Sequence, residues 1–98
     1  MIAPELLYEK TLDIARRIRI TESPLPEKIK VPRISTGGHF SGIFLWDTAF
    51  SAMWAKYHAK EFGAENSLDN LYTIQDKDGF IGREFSAEGE TAFTGKSP

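Results

Sequence analysis

Pro24, Pro26 and Pro32, followed by Gly37-Gly38, break any helix across residues 21–45. The same 25-residue stretch nevertheless carries Val31, Ile34, Phe40, Ile43, Phe44 and Leu45. A segment apolar enough to be buried and too interrupted to be regular is rare in a compact domain. Where it occurs it is a functional loop or one packed on other structure. The pattern therefore predicts an ordered loop that leads into a site.

Helical periodicity flanks this loop on both sides. From Pro4 to Ile20, Leu7, Thr11, Ile14, Ala15 and Ile18 fall on one face of a 3.6-residue repeat. Pro4 suits a first turn, and Glu5 and Glu9 precede Arg16, Arg17 and Arg19 in the order the helix dipole favours. A second helix is predicted from about Asp47 to about Glu61, carrying Trp46, Phe50, Met53, Trp54 and Tyr57, with Gly63 just past its end. A third is predicted to start at Asn66 or Ser67 and to carry Leu68, Leu71, Tyr72 and Ile74, ended by Gln75-Asp76-Lys77-Asp78-Gly79. Residues 79–98 hold four glycines and no helical period, which reads as a loop or short hairpin. The expected fold class is all-α: about three helices with long ordered loops. Their apolar stripes exceed what three helices can cover among themselves, so residues 1–98 read as part of a larger helical assembly, truncated after Pro98.

Charge and composition exclude several function classes. Twelve Lys plus Arg against fourteen Asp plus Glu leave a net charge of −2, which offers no basic surface to a nucleic acid. Without cysteine there is no thiol catalysis, disulfide or Cys-based zinc site. No apolar run approaches the roughly 20 residues of a membrane span, and the N-terminus, with Glu5 before its apolar residues, does not read as a secretion signal. These absences lean toward a cytoplasmic location without assigning one.

The densest chemical signal is Phe44-Leu45-Trp46-Asp47-Thr48-Ala49-Phe50. An aromatic face beside a carboxylate suits a sugar, whose C–H face stacks on a ring while its hydroxyls donate to the acid. The alternative is structural: Trp46 as core and Asp47 as helix cap. Gln75 and Arg83, in the polar stretch from Gln75 to Glu84, are further candidates for holding hydroxyls; the alternative is a solvated turn with Arg83 paired to a carboxylate. An EF-hand is excluded there, because Ile74 and Phe85 fall where the first and twelfth ligands are needed. His39 and His58 have no ligand spacing with a carboxylate, so no metal or other cofactor is expected. Gly37-Gly38-His39-Phe40-Ser41-Gly42 follows no strand and lacks the Lys-Ser/Thr ending of a phosphate loop, and Ser41 lacks a nucleophile elbow.

Taken in order, three segments resemble one family. Gly37-Gly38-His39-Phe40-Ser41-Gly42-Ile43-Phe44-Leu45-Trp46-Asp47-Thr48-Ala49-Phe50 is similar to the glycine-rich, aromatic-Trp-Asp-x-x-Phe segment of the trehalase and processing α-glucosidase enzymes. Asn70 followed by Asp78-Gly79-Phe80-Ile81-Gly82-Arg83-Glu84 resembles their next stretch, and Lys96-Ser97-Pro98 the start of a third. The nearest subgroup is that of the bacterial glycoside hydrolase family 63 and mannosylglycerate-hydrolase-like enzymes. His39 stands where trehalases have Arg, and Gly82 where the subgroup has Pro.

The resemblance, over roughly residues 5–98, implies the N-terminal portion of an (α/α) six-hairpin barrel, here incomplete. It implies part of an inverting glycoside hydrolase acting on an α-linked glucosyl or mannosyl substrate. Trp46 and Asp47 would line the sugar subsite with Phe44 beside them, and Gln75 and Arg83 would be secondary contacts. The family's catalytic Asp and Glu match no residue of this chain. The partners expected are a carbohydrate and either the remainder of the barrel or a second copy meeting the exposed apolar faces. The alternative from another class is a stand-alone carbohydrate-binding or protein-interaction helical module without catalysis.

Overall fold

The computed structural model describes residues 3–37 and 40–93; Gly38, His39 and the Lys96-Ser97-Pro98 stretch lie outside the described residues. Helix α1 spans Pro4–Ile18, with Pro4 opening it, Glu5 in its first turn and Arg16 and Arg17 in its last. It docks through Ala15, which is buried with Ile34, Ala55, Phe62 and Ala64, and through Leu12 and Ala59 packed against them. The anticipated face is only partly the one used. Leu7 and Ile14 remain more than half exposed, because Leu12 and Ala15 turn toward the core instead; Tyr8, itself 54 % exposed, hydrogen-bonds His58.

The single helix expected from Asp47 to Glu61 is three pieces. Helix α2 spans Leu45–Ala55, a 3-10 turn covers Lys56–His58, and helix α3 is Ala59–Phe62. Helix α4 then spans Ala64–Thr73, starting earlier than Asn66. Gly63 explains the junction. At φ 68° it is left-handed, closing α3 through an N–H bond to Ala59 O, while its own carbonyl accepts from Ser67 N and Ser67 Oγ and so opens α4. A Cβ on Gly63 would lie 1.7 Å from Pro32 O, so this residue also lets the loop approach.

The chain is mostly helical but not all-α. Strands β1 (Ile43–Phe44), β2 (Glu84–Phe85) and β3 (Thr91–Phe93) form an antiparallel sheet in that order. Ile43 pairs with Phe85 and Phe44 with Glu84, and β2–β3 is the hairpin anticipated near the C-terminal end. Strands of two or three residues carry no readable alternation, and β1 finds its partner some forty positions away. Ile43 and Phe85 enter a second core cluster with Ile29 and Leu71, flanked by Leu45, Ile74 and Ile81.

The proline-rich segment is ordered, as its composition predicts, and joins the two clusters: Ile29 lies in one and Ile34 in the other. Polar side chains of α4 hold its backbone. Asn70 accepts from Lys30 N at 2.8 Å and donates to Lys30 O at 3.0 Å. Ser67 Oγ accepts from Ile34 N at 2.9 Å, and Asn66 donates to Pro32 O at 3.1 Å. A loop without its own ladder thereby satisfies buried backbone groups through one helix face. Ile20 and Arg33 add a bridge, each N–H bonding the other's carbonyl.

Candidate functional site

The ordered loop delivers its end to the start of α2. Phe44 immediately precedes the helix, and Leu45 N donates to Arg83 O at 3.0 Å, tying the helix start to the residue before β2. Gly42 permits this approach, since a Cβ there would come within 2.5 Å of Phe85 O. Around the junction Thr36, Phe40, Phe44 and Asp47 line a cleft of about 190 Å³. Phe40 and Phe44 meet edge to face, centroids 5.8 Å apart at 82°. Asp47 stands in the first turn of α2 and is partly buried; it makes no capping hydrogen bond. Its carboxylate therefore lies at the helix end whose free N–H groups favour negative charge.

The candidate residues divide in space. Phe44 and Asp47 share the cleft. Trp46 does not line it: the indole is 64 % exposed and packs against Phe50, centroids 5.8 Å apart at 76°. Successive helix residues point about 100° apart, so a Trp-Asp pair adjacent in sequence faces two surfaces. Arg83 reaches the site by its backbone, while its guanidinium lies over the Phe93 ring, 5.2 Å from the centroid. Gln75 closes its own turn instead, donating from Nε2 to Gly79 O at 2.6 Å.

Two wall residues and one support were not singled out from sequence. Thr36 and Phe40 belong to the loop, and only its fold carries them to Asp47. Arg33 is 3 % exposed and donates to Ser41 O at 2.5 Å and Gly42 O at 3.3 Å. The guanidinium thus grips the turn between Phe40 and Phe44 from behind. Burial lowers its proton affinity below the ordinary arginine value. Its signal in the sequence is faint: a cation set between Pro32 and Ile34 in an apolar stretch.

Among the described residues no group of three or more His, Asp or Glu could hold a metal ion. Among the same described residues no helix is long and apolar enough to cross a membrane. Comparison with protein-family models, with curated proteins and with solved structures finds no match.

Proposed function

We propose that this chain supplies one wall of a sugar subsite in an inverting glycoside hydrolase acting on an α-linked glucosyl or mannosyl substrate, as a part of an (α/α) six-hairpin barrel. The observation that carries this reading is the Asp47 carboxylate set beside the perpendicular Phe40–Phe44 pair in one cleft. A pyranose laid on such rings loses apolar surface to them while its hydroxyls donate to the acid. The size of the cleft, about 190 Å³, also supports a partial site, since complete ligand pockets run to roughly 300–1,000 Å³. Inverting hydrolysis needs two carboxyls about 6.5–9.5 Å apart across the sugar. Asp47 is one carboxylate and is assigned to binding.

Titration of the chain with methyl α-glucoside and methyl α-mannoside, followed by amide chemical shifts, tests the reading. A hydrogen bond to a charged acceptor contributes about 1.5–3 kcal/mol, so Asp47→Asn is expected to weaken binding about 10- to 150-fold. Asp47 makes no capping hydrogen bond, so that variant should lose only the charge's interaction with the helix end, about 0.3–1 kcal/mol of stability. Equal affinity in wild type and Asp47→Asn would remove Asp47 from the site.

A further inference from the structure

Helix α2 is apolar on two opposite sides. Thr48, Ala52 and Ala55 are buried against the body of the chain. Trp46, Phe50 and Met53 on the opposite side, and Tyr57 in the following 3-10 turn, are 64, 61, 64 and 77 % exposed. A second apolar face on a helix, opposite the one already buried, calls for cover of its own. The four residues are spaced by four, three and four positions, the heptad seam along which one helix packs on another. Met53 also shares a groove with Ala49, Ala52 and Leu68, and Tyr72, one turn beyond Leu68 on α4, is exposed too.

We propose that this face closes on a second copy of the same chain, α2 antiparallel to α2 about a two-fold axis lying between Phe50 and Met53. That register sets Phe50 against the partner's Met53 and Trp46 against the partner's Tyr57. Thioether-on-ring and ring-on-ring contacts are both favourable, and each forms twice by symmetry. Area points to this occupant. At about 200 Å² per fully exposed aromatic side chain, Trp46, Phe50, Tyr57 and Tyr72 bring about 500 Å². Met53 and Leu68 add to this and carry the face toward the roughly 800 Å² per partner of a standard interface. None of the four seam residues is charged, the groove beside Met53 carries one charge of each sign, Lys56 and Glu65, with Lys56 Nζ 5.3 Å from the centre of the Tyr57 ring, and a net charge of −2 gives little repulsion between copies. The inference goes beyond the sugar-site reading, and the seam shares no residue with the Asp47 cleft.

Sedimentation of the 98-residue chain from about 1 to 100 µM is expected to give one species at twice 11.0 kDa. Phe50→Glu and Met53→Lys each replace an exposed residue, so the helical circular dichroism should persist while each variant sediments as a monomer. Mixed in equal amounts, the two should recombine as a heterodimer, because the register sets the new Glu of one against the new Lys of the other and leaves the second Phe50–Met53 pair intact. A wild-type monomer throughout the range, a polydisperse series of aggregates, a dimer indifferent to Met53→Lys, or variants that fail to recombine would each overturn the proposal. Cover supplied instead by further helices of a longer polypeptide would register here as one of the first two results.

Discussion

Arg33 shows how one residue shapes a site it does not line. Its guanidinium is out of water and donates to two carbonyls, Ser41 O and Gly42 O. Each bond from a charged donor contributes roughly 1.5–3 kcal/mol, set against the cost of burying the cation. Arg33→Met should therefore destabilise the chain by a net of about 1–3 kcal/mol in urea titration. Arg33→Lys should not restore it, because an ammonium cannot span two carbonyls as a planar fork does. An unchanged urea midpoint for Arg33→Met would refute this role. Gly63 and Gly79 form a second contrast between residues. Both have positive φ, 68° and 92°, but a Cβ at Gly63 meets Pro32 O at 1.7 Å whereas at Gly79 the nearest atom is Gln75 Nε2 at 3.7 Å. Gly79→Ala should cost only the left-handed penalty of about 1–2 kcal/mol. Gly63→Ala should exceed it by at least about 2 kcal/mol, since the loop must also be pushed off α4. Equal losses of stability would show that the close approach of Pro32 is not needed.

Among the elements, α1 is held at few points, and one of them titrates. Arg16 Nε donates to Glu61 Oε1 at 2.5 Å and Arg19 lies 3.6 Å from the same oxygen. The hydrogen bond from Arg16, ahead of the charges of Arg16 and Arg19, holds the Glu61 carboxyl below the usual carboxylate range. A depressed carboxylate stabilises the folded state above its unfolded pKa. That contribution declines once the pH falls below the ordinary glutamate value of about 4.3, and it vanishes below the folded value. Hydrogen exchange of the α1 amides should therefore speed up relative to α4 as the solution is acidified through this range. Glu61→Gln should show the faster α1 exchange already at neutral pH; protection equal to wild type would mean that the pair does not hold α1. The helices themselves were largely legible, since Pro4 opens α1 and Gly63 separates the two later helical stretches as their sequences predict. The break at Lys56–His58 and the strands were not. A 3-10 turn leaves the apolar spacing almost unchanged, and two-residue strands exist only through pairing.

At the scale of the whole molecule, two small clusters share the burial, one built around Phe62 and Ala55, the other around Ile29 and Phe85. The proline-rich loop links them, so a molecule of 51 × 28 × 23 Å depends on a segment without regular structure. Under the proposed function the cleft offers one carboxylate, Asp47, among its lining residues. The purified chain should accordingly bind α-glycosides without hydrolysing aryl α-glucosides or α-mannosides. Turnover that survives repurification and vanishes in Asp47→Ala would contradict this and make Asp47 catalytic. By itself the sequence determined the punctuation and the inventory. Prolines keep helix out of the stretch that follows α1, glycines stop helices, and apolar spacing declares helices, because these are properties of a residue and its near neighbours, although α2 begins at Leu45, inside the range 21–45 read as loop. Tertiary structure alone decided which way each face turns. Leu7 and Ile14 have the spacing of core residues and remain in solvent, while Arg33 has the composition of surface and is buried. Trp46 and Asp47, adjacent in the chain, part company on the helix, and Asp47 gains Thr36 and Phe40 as neighbours instead. Burial and proximity depend on which distant segments meet, and here Asn70, Ser67 and Gly63 make that choice by fixing the loop's backbone to α4.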